Sequence, residues 1–176
     1  MKVNYPFATV CLVLLLLLTF AFVSLYPFPK PIDVERTAII FTEDDPASAI
    51  PTTLKIRGTL HRPLFAQDKF SGKLTIAALS FTEEDETLDV IVTKKEHGIN
   101  MGSLWYQGKS SPQNVSQPSL IWFDNDFNEL SIWMSSNWLD NENKNSFLVT
   151  APTYDQALAI QKSMSEAFGE PFVRDK

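Results

Sequence analysis

The chain has 176 residues, a formal net charge of −6 and a single cysteine, Cys11. The negative charge argues against an electrostatic nucleic-acid surface, because such surfaces depend on clustered lysine and arginine. The single cysteine excludes an intrachain disulfide and a thiolate metal site, so a packed core must stabilise the folded chain.

A continuous apolar segment, residues 7–26, is the first predicted element. No charged residue lies between Lys2 and Lys30, and a helix of this length would span about 30 Å, the hydrocarbon thickness of a bilayer. The segment therefore predicts one transmembrane helix, which follows a short tail (residues 1–6) and acts as an uncleaved signal anchor. This topology places the rest of the chain outside the cytoplasm, at the cell membrane. The alternative is a cleaved secretory signal with its cut after Ala21, inside the apolar run.

Prolines dominate the next stretch, residues 27–37. Pro27, Pro29 and Pro31 each fix φ and remove a backbone donor, which predicts a stiff, extended spacer between the membrane and the rest of the chain. The remaining residues, 38–176, have the length of one ordinary domain.

Alternating apolar and polar residues predict the strands of that domain. The strands are expected over residues 38–42, 53–61, 74–78, 88–92, 99–107, 119–123, 130–134 and 147–150. Residues 43–51, which include two prolines, are predicted to be a loop. The acidic residues 83–86 are predicted to be a solvated hairpin tip.

The apolar period changes to that of a helix over residues 154–168. Thr153 and Gln156 form a capping box in front of it, and Gly169 is the expected stop. A single amphipathic helix that follows a series of strands must bury its apolar stripe against their sheet. The sequence therefore predicts a mainly β fold with a C-terminal helix packed on an antiparallel sheet. The sheet is expected to be either a small sandwich or a partly closed barrel.

One stretch carries a family resemblance. Residues 58–65 read Gly-Thr-Leu-His-Arg-Pro-Leu-Phe, and Asp68, Phe70 and Gly72 follow them. This pattern resembles one found in small, functionally uncharacterised, membrane-anchored extracytoplasmic proteins of Gram-positive bacteria. The resemblance implies an N-terminal apolar segment, export and a single strand-rich domain. It carries over no catalytic residue.

Aromatic residues are the candidate binding groups: Trp105, Tyr106, Trp122, Trp133 and Trp138. If the two neighbours of Trp133 face the core, Trp133 itself faces outward. An exposed aromatic stripe could stack on glycan rings or anchor a partner protein. The alternative is that most of these rings fill the core or the seam between helix and sheet. The first functional hypothesis is therefore a non-enzymatic interaction module of the cell envelope, tethered to the membrane by residues 7–26, that binds a protein or glycan through a sheet face.

The second hypothesis is an envelope hydrolase that uses paired carboxylates such as Asp68, Asp124 or Asp126. His61 is predicted to be an exposed strand residue and His97 a turn residue, and their spacing fits no metal-binding motif. The stretch that contains Asp124 and Asp126 lacks the spacing of a calcium-binding loop. The sequence also has no nucleotide-binding glycine motif, so it predicts neither a cofactor nor a metal.

Overall fold

The computed structural model describes residues 5–43, 45–108, 118–134, 138 and 145–168, with residues 5–7 and 25 described by their backbone alone. In chain order the elements are α1 (Tyr5–Leu25), β1 (Lys30–Thr42), β2 (Asp45–His61), β3 (Lys69–Ile76), α2 (Phe81–Glu84), β4 (Glu86–Thr87), β5 (Val90–Glu96), β6 (Ile99–Leu104), β7 (Tyr106–Gln107), β8 (Ser119–Asp124), β9 (Leu130–Trp133), β10 (Ser146–Val149) and α3 (Tyr154–Ala167).

Within these described residues, eight strands close into a barrel in the order β1, β2, β3, β5, β6, β8, β9 and β10, and β10 pairs back onto β1. Every neighbouring pair is antiparallel. The short strands β4 and β7 form a separate two-stranded sheet. The predicted antiparallel sheet with a C-terminal helix is thus confirmed, and of the two expected arrangements the barrel is the one found. Closure pairs strand edges that an open sheet would expose.

The first two strands are longer than the sequence predicted. Most of the predicted spacer and most of the predicted loop over residues 43–51 belong to β1 and β2, so both of those predictions were wrong. The prolines suggested that these residues were not strands, but Pro31 and Pro51 each lie where their strand pairs with a neighbour on one side only. Pro31 pairs with Thr59 beyond the end of the β1–β10 ladder, and Pro51 lies before the start of the β2–β3 ladder. Proline, which cannot donate to a ladder, is tolerated at such edges.

Alternate residues of the eight strands point into the barrel and fill it. The buried interior side chains include Ile40, Leu54, Ile56, Leu74, Ile76, Ile121, Phe123, Leu130, Ile132 and Leu148. An eight-stranded barrel has an interior just wide enough for side chains or for one small ligand. Here its own side chains occupy that space.

Helix α3 packs on the outside of the barrel. It follows the prediction closely, and the backbone N–H of Gln156 donates to Thr153 Oγ1 at 3.4 Å. Its buried residues are Ala157, Gln161 and Met164, and they face the outer side of the wall formed by β1, β10, β9 and β8. The barrel interior lies against one face of β10 and α3 against the other, which is why all four residues of β10 are buried.

A pair of glycines brings β2 and β3 close together under an aromatic ring. Gly58 and Gly72 face each other in the ladder, and a Cβ on Gly58 would lie 2.7 Å from the Cα of Gly72. A Cβ on either glycine would also lie 2.9 Å from the Cζ of Phe70. The Phe70 ring therefore covers backbone that any side chain would push apart.

Replacing Gly72 with alanine is expected to destabilise the barrel by about 1–3 kcal/mol, because the added methyl group overpacks this contact. The free energy of unfolding, measured by chemical denaturation, tests the prediction. Thr75→Ala on the same strand is the control and should change stability by less than about 1 kcal/mol. Equal effects of the two substitutions would contradict the close-approach explanation.

Candidate functional site

The five candidate aromatic residues do not form an exposed stripe. Tyr106, Trp122 and Trp138 have exposed fractions of 0%, 4% and 7%, and Trp105 and Trp133 are half-buried. These three buried rings cannot belong to an exposed stripe. They fill the core or the helix seam, as the alternative expectation had it.

Trp122 and Trp133 point away from the barrel interior, but the C-terminal helix lies over them. Trp122 packs with Met164 and Phe168 at the end of α3. The Trp133 ring stacks on that of Phe147, with centroids 6.3 Å apart. Alternation along β9 therefore gave the correct direction for Trp133, and the position of α3 determined that this direction leads to a seam and not to solvent.

Tyr106 and Trp138 meet at one end of the barrel, beside α2. Their rings and that of Phe81 form a triangle of edge-to-face contacts, with centroids 5.4 Å apart (Phe81–Tyr106), 5.5 Å apart (Phe81–Trp138) and 5.4 Å apart (Tyr106–Trp138). Edge-to-face packing of this kind is a favourable arrangement for aromatic rings. The triangle fills this end of the barrel.

The same end contains a gap in the ladder that side chains close. Strand β3 pairs with β5 only at Lys69 and Phe70, which leaves the backbone of Leu74 without a strand partner on that side. Its N–H donates to Thr87 Oγ1 at 3.1 Å, and its carbonyl accepts from the Tyr106 hydroxyl at 2.8 Å. Burial raises the pKa of Tyr106, so the hydroxyl stays protonated and can donate.

Removing this hydroxyl with Tyr106→Phe is expected to cost about 1–3 kcal/mol of stability at pH 7, because the buried carbonyl of Leu74 loses its donor. The pKa of Tyr106 is higher in the folded chain than in the unfolded one, so its contribution is complete below the ordinary tyrosine pKa of about 10 and falls as the pH rises further.

The unchanged protein and the Tyr106→Phe variant should therefore differ less in free energy of unfolding above pH 10. The difference should shrink by up to about 1.4 kcal/mol per pH unit. Urea denaturation at pH 7, 10 and 11 measures it. A difference that stays constant across these values would show that Tyr106 is not held in its neutral form. Tyr154→Phe, at a half-buried ring, is the matched control.

The opposite end of the barrel is filled by the β8–β9 loop, residues 125–129. Phe127 of this loop is 1% exposed and stacks on Phe123 with centroids 4.5 Å apart. It also contacts the ring of Phe70 at 5.0 Å. Its φ of 53° lies in the left-handed region, which is unfavourable for a bulky side chain. Both ends of the barrel are thus filled by aromatic rings.

Polar contacts hold the β8–β9 loop in place. Asp124 Oδ1 accepts from the backbone N–H of Asp126 at 3.1 Å and of Asn128 at 2.8 Å. From β1, Lys30 pairs with the carboxylate of Asp126, and Arg36 Nε donates to the carbonyl of Phe127 at 3.2 Å. Two of the three candidate catalytic carboxylates therefore have positions and partners that secure a turn.

The third carboxylate and the two histidines lie elsewhere on the surface. Asp68 pairs with Lys95 at 3.1 Å, whereas Asp126 pairs with Lys30. His61 is half-buried at the end of β2, and His97 is exposed in the two-residue turn between β5 and β6. Residues 97 and 98 both have positive φ, as the favoured tight hairpin turns require. Among the side chains that the structure describes, no group of three or more His, Cys, Asp or Glu residues is placed to hold a metal ion.

One part of the barrel surface that α3 does not cover is a charged wall. On the outer face of β1 and β2, Asp33 pairs with Arg57 at 3.0 Å and Glu35 pairs with Lys55 at 3.9 Å. All four residues lie opposite one another in the same ladder. The wall offers alternating charges of both signs to the surroundings.

Most of the exposed large apolar side chains that the structure describes lie along α1, in the link that follows it and in the β2–β3 loop, whereas Ile50 and Ile91 are exposed on the barrel strands. From Val10 to Phe22 the large apolar side chains of α1 are 48–68% exposed. In the loop, Leu64 and Phe65 are 57% and 70% exposed. The sequence interpretation treated this loop only as a turn. The available signal was a pair of consecutive apolar residues after Pro63, which breaks the alternation of the strand before it.

Among the residues whose side chains the structure describes, which in α1 are residues 8–24, no helix is both long enough and apolar enough to span a membrane.

Comparison of the chain with protein-family models, with curated proteins and with solved structures finds no match.

Proposed function

We propose that the chain is a membrane-tethered, non-enzymatic interaction module of the cell envelope. In this proposal α1 anchors the protein in the cell membrane and holds the barrel outside the cytoplasm, where the outer surface of the barrel binds a protein or a glycan. The observation that carries the proposal is the apolar surface of α1, whose large side chains from Val10 to Phe22 are 48–68% exposed and which the short link of residues 26–29 joins to β1.

The exposed surface of α1 supports the tether. A helix that is apolar all round must be buried in a large core or in a membrane. Helix α1 covers 21 residues, a length of about 31 Å at 1.5 Å per residue, which matches the hydrocarbon core of a bilayer. The barrel has already closed its own core without it. Lipid is the partner that suits this surface.

The filled barrel supports a function carried out by its outside. The aromatic triangle of Phe81, Tyr106 and Trp138 fills one end of the barrel, the β8–β9 loop fills the other, and aliphatic side chains fill the middle. The carboxylates of Asp124 and Asp126 hold a turn, and nothing among the described residues favours the hydrolase hypothesis. The outer surface of the barrel is therefore where we expect this domain to act.

The uncovered wall is where we place the partner. Helix α3 covers the last residues of β1 together with β10, β9 and β8. The charged wall, on β2 and the earlier part of β1, presents Lys55 and Arg57 beside Asp33 and Glu35 with side chains 44–73% exposed. Alternating charges favour a polar or charged partner and fix its orientation, because like charges brought together on binding are costly.

Two measurements test the proposal. Full-length protein in the membrane fraction should resist extraction by alkaline carbonate and dissolve in detergent, and added protease should digest the barrel in intact spheroplasts. Release by carbonate would overturn the tether. Protection of the barrel from external protease would overturn its position outside the cytoplasm.

A photo-crosslinking amino acid tests the wall. Placed at Lys55, it should give a discrete adduct with a protein or glycan in intact cells. Lys162 on α3, whose side chain is 73% exposed, is the matched control and should give none. The same adducts from both positions, or none from position 55, would remove the wall as the binding surface.

A further inference from the structure

The β2–β3 loop, residues 62–68, exposes two neighbouring apolar side chains. Leu64 is 57% exposed and Phe65 is 70% exposed. Loops at the rim of a barrel are ordinarily polar, and a contiguous exposed apolar patch marks an interaction site.

This loop lies against α1. The rings of Phe20 and Phe65 have centroids 6.1 Å apart, and the backbone N–H of Arg62 donates to the carbonyl of Pro27 at 2.6 Å. One contact joins the loop to the helix and the other joins it to the link that follows the helix. The loop is therefore fixed at the last turns of α1.

The contact between Phe20 and Phe65 indicates how deep the β2–β3 loop would lie in the membrane. Phe20 precedes the last residue of α1, Leu25, by five positions, which corresponds to about 7.5 Å along the helix axis at 1.5 Å per residue. If the end of α1 lies at the membrane surface, Phe65 lies about that far below it. Apolar groups of proteins that rest in the membrane interface are buried about 5–10 Å.

The surroundings of the loop fit the same environment. The ring of Tyr26 packs edge-on against that of Phe28, with centroids 5.1 Å apart, and the two side chains are 41% and 38% exposed. Aromatic rings with one polar end are favoured at the level of lipid head groups.

We propose that Tyr26, Phe28, Leu64 and Phe65 form a second membrane contact, a patch that enters the interface of the same bilayer in which α1 is anchored. The occupant of the patch is lipid: head groups at Tyr26 and Phe28, and the upper acyl chains at Phe65. This inference rests on the tether proposed above and adds to it an orientation. With two contacts, the barrel is oriented so that its β2–β3 loop faces the bilayer. The β1–β2 turn, at the other end of the barrel, then points away from the bilayer.

Depth-dependent quenching tests the contact in the full chain. A Cys11→Ala background receives one cysteine, at Phe65 or at Ile50, labelled with an environment-sensitive fluorophore. Ile50 is the matched control because it is also an exposed apolar residue, at 49%, and it lies on β2 about 40 Å along the strand from the β2–β3 loop at 3.3 Å per residue. The protein is reconstituted in vesicles of phosphatidylcholine and phosphatidylglycerol, with or without lipid spin-labelled high in the acyl chain.

The label at position 65 should shift its emission to shorter wavelength and be quenched by the spin-labelled lipid, while the label at position 50 should be quenched by aqueous iodide alone. Equal iodide quenching at both positions in protein that floats with the vesicles would overturn the second contact and leave the tether standing. Shielding from iodide at position 65 without quenching by lipid would identify a protein neighbour and would also overturn it. Protein that does not float with the vesicles would overturn the tether itself.

Discussion

Arginine at both Leu14 and Leu16 is expected to release the full chain from membranes. Both side chains lie near the middle of α1 and are more than half exposed, at 54% and 61%. An arginine near the centre of a membrane-spanning helix costs about 2.5–3.5 kcal/mol on insertion scales. Two of them cost roughly 5–7 kcal/mol, which lowers partitioning into the bilayer by about four orders of magnitude.

Vesicle flotation of purified protein measures this effect without depending on export in cells. The matched control carries the same two charges at Ile50 and Ile91, which are 49% and 47% exposed on the barrel, and should float like the unchanged chain. Circular dichroism should show the same β content in both variants, since α1 adds nothing to the closed barrel core. If the Leu14 and Leu16 variant floats as well as the control, α1 is not the anchor.

The sequence was sufficient to predict the strands and the final helix because each has a regular apolar period. Each predicted strand overlaps one strand of the barrel, but only those at β6, β8, β9 and β10 cover much more than half of it. The spacing of Ala157, Gln161 and Met164 defined the face of α3 that is buried. Closure of the barrel could not be predicted in this way. It depends on the pairing of β1 with β10, two strands that lie at opposite ends of the domain in sequence.

The strand ends and the aromatic residues could not be predicted for a different reason: each depends on what lies next to it in space. Pro31 favours a spacer over a strand, yet the strand tolerates it because β10 does not extend far enough to pair with the backbone of residue 31. Trp133 was correctly directed away from the interior, but only the position of α3 decides that this side is covered. The inward turn of Phe127 and the outward turn of Phe65 are likewise set by the neighbours of their loops.

Phe127→Ala is expected to destabilise the barrel by about 3–5 kcal/mol, the usual cost of removing a buried phenylalanine ring. The ring fills the end of the barrel between Phe70 and Phe123, and the strands around it are tied into a closed cylinder that cannot easily collapse onto the space. The free energy of unfolding in urea, followed by tryptophan fluorescence of the full chain in detergent, measures the loss.

Phe127→Gly separates the contribution of the ring from that of the backbone. In an ordinary strand glycine is less stable than alanine by about 0.5–1 kcal/mol. At a φ of 53° the order should reverse, because the left-handed conformation costs a residue with a Cβ about 1–2 kcal/mol and costs glycine nothing. Leu130, a buried neighbour on β9, is the control position, where glycine should remain the more damaging of the two substitutions. The same order at both positions would show that the β8–β9 loop does not hold Phe127 in the left-handed conformation, and that the end of the barrel is closed by the ring alone.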